Sequence, residues 1–295
     1  MNAVVLREVG GDLALEEWPE PEGEAVVDVR ASGVNFADVL IRRGLYPQMP
    51  ELPYVLGNEV AGDLGGRRVC AFIHGSGYAE RAAVDPDWVF ELPPNASYAE
   101  GAAFLTTYLT AWVPLSERDH GETVLVHAGS GGVGTAAIQL AKELGKTVVA
   151  TASTPEKRAF AERAGADEVR GYDELDDLRV DLILDPVGGE VFTRSLPLLK
   201  PLGKIVAIGF AGGLWHDPSV QWLVGRNVSV GGVYLGRLMQ LEPDLVRRLA
   251  AELLAWWAEG RIAPLVGSTF PLADARDAHA LIESRRHMGK LVLEP

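Results

Sequence analysis

One cysteine, Cys70, in a chain of 295 residues leaves no partner for an intrachain disulfide and no thiolate cluster for a zinc site. The six histidines are scattered at 74, 120, 127, 216, 279 and 287, without the spacing of a metal motif. Basic runs are also missing. With 27 Lys and Arg against 41 Asp and Glu, the formal charge of -14 opposes binding to nucleic acid or to an acidic membrane surface. The apolar stretches fall far short of a membrane span, and the run Ala3 to Leu6 is too short for a signal peptide. No solenoid-length repeat or low-complexity tract is present. These absences leave a globular chain expected in the cytoplasm, with neither membrane nor nucleic acid as partner. Its 47% apolar residues suffice for one large or two ordinary cores.

What is present centres on His127-Ala128-Gly129-Ser130-Gly131-Gly132-Val133-Gly134, which closes the apolar run Thr123 to Val126 and opens a run of small residues, Thr135 to Ala141. Gly129, Gly131 and Gly134 fit the G-x-G-x-x-G spacing, a turn that lets a backbone approach a pyrophosphate and aims a helix N-terminus at it. From residue 121 the pattern alternates, with strands expected at 122–128, 147–152, 181–185, 203–209 and 227–235 and helices at 132–144, 155–164 and 190–199. Continuous apolar runs such as Lys204 to Ile208 suit buried parallel strands, so this stretch reads as a doubly wound α/β domain. Before it, short apolar runs separated by Gly, Pro and acids suggest a twisted antiparallel or barrel-like sheet. A helix over 35–43 interrupts that sheet, and Ser97 with Glu100 has capping-box spacing. A long amphipathic helix is expected from Pro243 to Glu259, then a helix over 272–284 and a final strand near Leu291. Cys70 reads as a small core residue, and His127 as a strand-end residue meeting only backbone.

The motifs together resemble the medium-chain dehydrogenase/reductase superfamily, and within it the zinc-free quinone oxidoreductases related to zeta-crystallin. The most specific are Gly33-Val34-Asn35-Phe36-Ala37-Asp38, Arg42 to Pro47, Leu56-Gly57-Asn58-Glu59-Val60-Ala61-Gly62, Gly77 to Glu80, the glycine turn, and Asp185-Pro186-Val187-Gly188-Gly189. The resemblance implies a Rossmann-type doubly wound parallel-sheet domain, 111–235, inserted into a GroES-like β-rich catalytic domain, 1–110 and 236–295. The active site is then expected in the cleft, and a homodimer through the last strand of the inserted domain. Two segments are shorter than the family's usual pattern, Gly62 to Arg68 and Tyr172 to Val180. The second shortening could leave one side of the sheet thinly covered.

Zinc-bearing members of the superfamily place Cys where this chain has Asn35 and His where it has Asn58. Amides are poor zinc ligands, so a metal-free site is expected. An NAD-reading domain carries an acid about 20 residues after the glycine turn, but here the second strand ends Thr151-Ala152-Ser153-Thr154. Ser153, Lys157 and Tyr172 match positions that meet the 2′-phosphate in the resembled family, which favours NADPH. Ser153 as a helix cap and Lys157 as a solvated charge are the competing readings. Gly131, Gly132, Val133, Gly134, Thr110 and Phe210 complete the expected cofactor contacts, with Thr110 as a self-bonded helix hydroxyl the alternative. Asn35 and Tyr46 match catalytic positions and would offer an amide N–H and a phenol O–H to an acceptor. The expected reaction is NADPH-dependent reduction of a quinone. A reductase of enones, alkenals or enoyl thioesters, or a non-catalytic NADPH-binding or structural protein, are the alternatives.

Overall fold

The computed structural model describes residues 1–116, 121–214 and 217–295. Two of the six histidines weighed above, His120 and His216, lie outside them. The chain divides into two units, one of 1–106 with 254–295 and the other of 107–253.

The first unit begins with β1 (Asn2–Leu6), β2 (Leu13–Glu17), β3 (Val26–Val34), α1 (Phe36–Arg42), β4 (Tyr54–Val55), β5 (Glu59–Leu64), β6 (Arg67–Phe72), β7 (Arg81–Ala83), β8 (Val89–Glu91) and α2 (Tyr98–Gly101). The chain then runs through α3 (Leu105–Ser116) into the second unit: β9 (Thr123–Val126), α4 (Gly132–Glu143), β10 (Thr147–Thr151), α5 (Pro155–Arg163), β11 (Glu168–Arg170), β12 (Val180–Asp185), α6 (Gly189–Ser195), β13 (Leu199–Ala207), α7 (Val220–Arg226), β14 (Ser229–Gly232) and α8 (Leu235–Leu241). It returns through α9 (Pro243–Ala258) to β15 (Val266–Pro271), α10 (Ala275–Glu283) and β16 (Lys290–Glu294). Among the described residues no helix is long and apolar enough to cross a membrane.

In the first unit β15-β16-β3-β5-β6-β8 form one sheet, with β7 also on β3, and β2-β1-β4 form a second. The last strand pairs antiparallel with β3, Val292 opposite Gly33, so it completes a sheet begun in the first thirty-odd residues. The shortened segment after Gly62 is a two-residue hairpin. Leu64 faces Arg67, and Gly65 and Gly66 both take positive φ, as a tight primed turn requires. The capping box at Ser97 is present, with Ser97 Oγ accepting from Glu100 N. The core of β1, β16, α1 and α10 joins Val4, Leu6, Val39, Leu56, Ala278 and Leu293. Cys70 is fully buried in β6, as expected of a core residue.

In the second unit six parallel strands lie in the order β11-β10-β9-β12-β13-β14. The connection from β9 runs to β10 and that from β12 runs the other way, to β13, so the strand order reverses between β9 and β12. A Rossmann-type sheet has its ligand crevice at the carboxyl ends of the strands flanking such a point. The trimmed segment before β12 contains no helix, yet Leu175 and Leu178 are buried against Leu125, Ile183 and Phe192, so that side of the sheet is covered. Three elements differ from expectation. The three-residue β11 is too short to show a period, and α7 buries none of its residues, so no core-facing stripe marks it. The expected strand 227–235 ends at Gly232, because the chain turns at Tyr234 into α8.

Candidate functional site

In the first unit the site is built on the start of α1. Asn35 caps that helix, and Asp38 completes a capping box by accepting from Asn35 N at 2.8 Å. Asn35 is nearly buried and its amide is held at both ends. Oδ1 accepts from Lys290 Nζ at 2.6 Å, and Nδ2 donates to Glu59 Oε1 at 2.9 Å. The second Nδ2 proton has only a long contact, 3.5 Å to Gly33 O, and is the one the amide can offer elsewhere. Gly33 is required beside it, since a Cβ there would lie 2.2 Å from Ala102 O and 2.6 Å from Glu59 Oε1. Glu59 is fully buried and its second oxygen accepts from Thr106 N at 2.9 Å. A buried carboxylate is tolerable only when paired, and the Lys290 ammonium at 2.5 Å supplies the pairing.

Asp38 is fully buried as well, and burial pushes its carboxyl up to about 6. It accepts from Gly57 N at 3.2 Å and Asn58 Nδ2 at 3.3 Å, tying the Gly57-Asn58 turn to the helix. Tyr46 lies beyond the other end of α1, half-buried, where its ring packs on the apolar core with Phe36 and Tyr54. Asn35 and Tyr46 thus flank one short helix.

The zinc implied by the superfamily does not fit these residues. The positions in question carry amides, and both oxygens of Glu59 are committed to Lys290, Asn35 and Thr106. An ammonium also stands where a cation would seek the carboxylate. Among the described residues no group of three or more His, Cys, Asp or Glu side chains could hold a metal.

In the second unit the glycine turn follows β9 at the crevice. Gly131 is the N-cap of α4 and provides no side-chain cap, so the first N–H groups of a twelve-residue helix have no side-chain acceptor there. Gly134 packs so closely that a Cβ would meet Ala128 O at 2.2 Å, which fixes helix against strand. Opposite the turn, Asp185 accepts from Val187 N at 2.8 Å and Gly188 N at 3.0 Å, and Gly212 N donates to Val187 O at 2.6 Å. The loop carrying Phe210 is thereby laid on the loop after β12.

Ser153 and Tyr172 follow the adjacent strands β10 and β11, whose ends pair Thr151 with Arg170. The cap of α5 is Thr154, which accepts from Lys157 N, so Ser153 does not cap the helix. Lys157 is half-buried on the first turn and its ammonium is pushed down by desolvation. Arg158 of the same helix makes a double hydrogen bond to Glu174, and Glu174 accepts from Gly171 N at 2.8 Å, which secures the Tyr172 loop against α5. Thr110 is buried within α3.

His127 departs from expectation. It meets side chains: Nδ1 lies 3.0 Å from Thr151 Oγ1, Nε2 2.7 Å from Ser195 Oγ, and its ring stacks on Tyr172 at 5.9 Å and 17°. Ser195 Oγ donates to Val191 O, so the serine accepts from Nε2–H and the threonine donates to Nδ1. Burial holds this neutral ring down at about 3. Its partners are 24 and 68 residues away, beyond any local pattern. Lys290 likewise has no local pattern, its only mark in the sequence being a charge at the head of the apolar run Leu291-Val292-Leu293. Asp38 carries a local signal, the three-residue capping interval from Asn35.

Known proteins bear on both units. A zinc-binding dehydrogenase family model matches residues 164–293, and an alcohol dehydrogenase GroES-like domain model matches residues 21–94. The quinone oxidoreductase of Thermus thermophilus, solved also in complex with NADPH, is similar over 100% of both chains at 39% identity and a TM-score of 0.94. Quinone oxidoreductase-like protein 2 of Bos taurus is 33% identical, over 99% of this chain and 92% of the relative. The human synaptic vesicle membrane protein VAT-1 homolog is 32% identical over 92% of this chain and 79% of its own length. With its GroES-like and Rossmann-type units, the chain belongs to the medium-chain dehydrogenase/reductase superfamily, among the quinone oxidoreductase-like members.

Proposed function

We propose that the protein is an NADPH-dependent, zinc-independent quinone reductase of the cytoplasm. The observation that carries this reading is the donor set at α1: a buried amide backed by an ammonium, with no ligand set for a Lewis-acid metal. Full-length similarity to an NADPH-binding quinone oxidoreductase supports it.

Gly131, Gly132, Val133 and Gly134 would hold the pyrophosphate on the α4 N-terminus, and Ser153, Lys157 and Tyr172 the 2′-phosphate. Thr110 and Phe210 are assigned to the same cofactor. NADPH, when bound, supplies a hydride. Reduction of a quinone places negative charge on its oxygens, and neutral donors suffice because that charge is delocalised. Asn35 offers its second N–H to such an oxygen. Lys290, donating to Oδ1, polarises the amide and strengthens that donor. Tyr46 orients the acceptor and relays a proton from solvent.

We further assign a homodimer through β14. It is an edge strand with Ser229 and Val230 exposed, and the helix that precedes it in the chain, α7, carries Val220 and Val224 one turn apart at 72% and 71% exposure.

Purified protein given NADPH is expected to reduce 1,4-benzoquinone and 9,10-phenanthrenequinone, with NADH a poorer donor and substoichiometric zinc by elemental analysis. Turnover of a 2-enal in preference to both quinones would move the assignment to a double-bond reductase. NADPH binding without turnover across the panel would make the protein non-catalytic.

A further inference from the structure

The carboxylate of Asp38 faces four donors. Asn35 N and Tyr78 OH reach Oδ2 at 2.8 and 3.2 Å, and Gly57 N and Asn58 Nδ2 reach Oδ1 at 3.2 and 3.3 Å. The phenol continues the chain. Tyr78 OH lies 3.2 Å from His279 Nε2 of α10, with the rings edge-on at 5.8 Å and 83°. Asp38, Tyr78 and His279 are fully buried, and His279 Nδ1 has no hydrogen-bond partner.

These contacts fix a direction. A phenol has one proton to give, and an ionised carboxylate takes it. His279 must then donate Nε2–H to the phenol oxygen, and the unpartnered Nδ1 is a bare lone pair. When Asp38 gains a proton, two of its four neighbours are backbone N–H groups, which cannot accept. Tyr78 is the one that turns acceptor without rotating an amide. The carboxylic acid O–H then donates to Tyr78 Oη, and the phenol O–H donates to His279 Nε2. The proton taken up enters at Nδ1, the Nε2 proton passes to Tyr78 Oη, and the phenol's former proton passes to Asp38, along the two hydrogen bonds of the chain. Net uptake is one proton, on Asp38, and His279 stays neutral.

We propose that Asp38 is the positioning residue of the acceptor site on α1, and that the Asp38–Tyr78–His279 chain reverses direction when Asp38 is protonated. The ionised carboxylate grips Asn35 N, Gly57 N and the Asn58 amide with charge-assisted bonds, about twice as strong as the neutral ones that replace them. Protonation therefore loosens the helix start that presents Asn35. The role assigned to Asn35 rests on the quinone-reductase reading, whereas the reversal does not.

Surrounding charges are compatible with this. Lys290 of β16 favours the carboxylate, and buried Glu59 of β5 pairs with that lysine rather than with Asp38. Tyr54 of β4 also faces Asp38 and is pushed up to about 12, so it stays neutral. Burial, and after it the charge of Arg42, holds His279 down at about 3; Arg42 lies on the helix of Asp38 and pairs with Glu283 of α10. The ring thus remains neutral while the carboxyl titrates near 6.

The test uses the full chain labelled with 15N-histidine, without cofactor, in long-range 1H–15N correlations from pH 8 to pH 5. His279 is identified by the loss of its signals in His279→Gln and by their shift in Tyr78→Phe. We expect the Nε2–H tautomer at pH 8 and conversion to Nδ1–H with a midpoint near 6. In parallel, kcat/KM for 1,4-benzoquinone should fall roughly fivefold as acidification weakens the charge-assisted grip. The inflection should vanish in Asp38→Asn and move to higher pH in Tyr78→Phe, where the carboxylate has lost a donor. One tautomer throughout, or an imidazolium in that range, overturns the proposal. Reversal of the tautomer in a protein that reduces none of the quinones leaves the chain intact and removes the quinone-reductase reading instead.

Discussion

Lys290 Nζ donates to Asn35 Oδ1 at 2.6 Å, joining residues 255 positions apart. The bond decides which way round the amide stands, because an ammonium can only donate, so the oxygen faces Lys290 and the nitrogen faces Glu59. It also makes the last strand part of the site at α1.

Lys290→Met removes that donor and leaves Glu59 buried without its counter-charge. We expect a loss of about 3–5 kcal/mol in stability, the usual result of breaking one side of a buried pair. Lys290→Met combined with Glu59→Gln should recover most of it, since the stranded charge is gone. Urea denaturation of both variants measures this, and equal losses would show that the pair is not coupled.

Cofactor choice is checked by Lys157→Ala and Tyr172→Phe. A lost charge-assisted bond is worth about 1.5–3 kcal/mol, and the part-exposed Lys157 should fall at the low end. The apparent KM for NADPH should rise about tenfold while that for NADH stays put. A parallel rise for both cofactors would remove Lys157 from the 2′-phosphate site.

Acid should weaken the fold. His127 and His279 stay neutral when folded, down to about 3, but take up protons near their usual value when unfolded. Their contribution is present above that ordinary value and is lost as pH falls below it. From pH 7 to 5 this costs about 2 kcal/mol for each ring. Asp38 works the other way, since its raised carboxyl binds a proton in the folded state first and returns about 1 kcal/mol over the same interval. Asp185, raised by burial, acts in the same sense as Asp38. Denaturation at pH 7, 6 and 5 should show a net decline, shallower in His127→Asn. A flat profile would mean that neither ring is as buried as described.

Oligomeric state tests β14. Val230→Lys on the exposed edge strand, with Val224→Asp on α7, should convert a dimer into a folded monomer by light scattering after gel filtration. A wild-type monomer would refute the assigned interface.

How much could be read in advance followed from the range of each interaction. The α1 cap, the Ser97 box and the glycine turn are set by residues within a few positions, and all three are visible as spacing. Strands β12 and β13 show as apolar runs because both sheet faces are covered. Helix α7 gave no such signal, since its Val220 and Val224 point to solvent and Trp222, which packs part-buried on the core, is too little to set a period. The site itself was half legible. Asn35 announces itself by motif, but Glu59 and Lys290 are brought to it across 24 and 255 positions by sheet pairing, which no local pattern encodes.

The antiparallel pairing of β16 with β3 also sets an order of assembly during synthesis. Residues 107–253 form an unbroken run that can close as soon as it has left the ribosome. The first unit must wait, with Glu59 lacking its ammonium, until position 290 emerges. Nascent chains stalled at residue 285 should therefore resist protease across the second unit while remaining open to cleavage within the first.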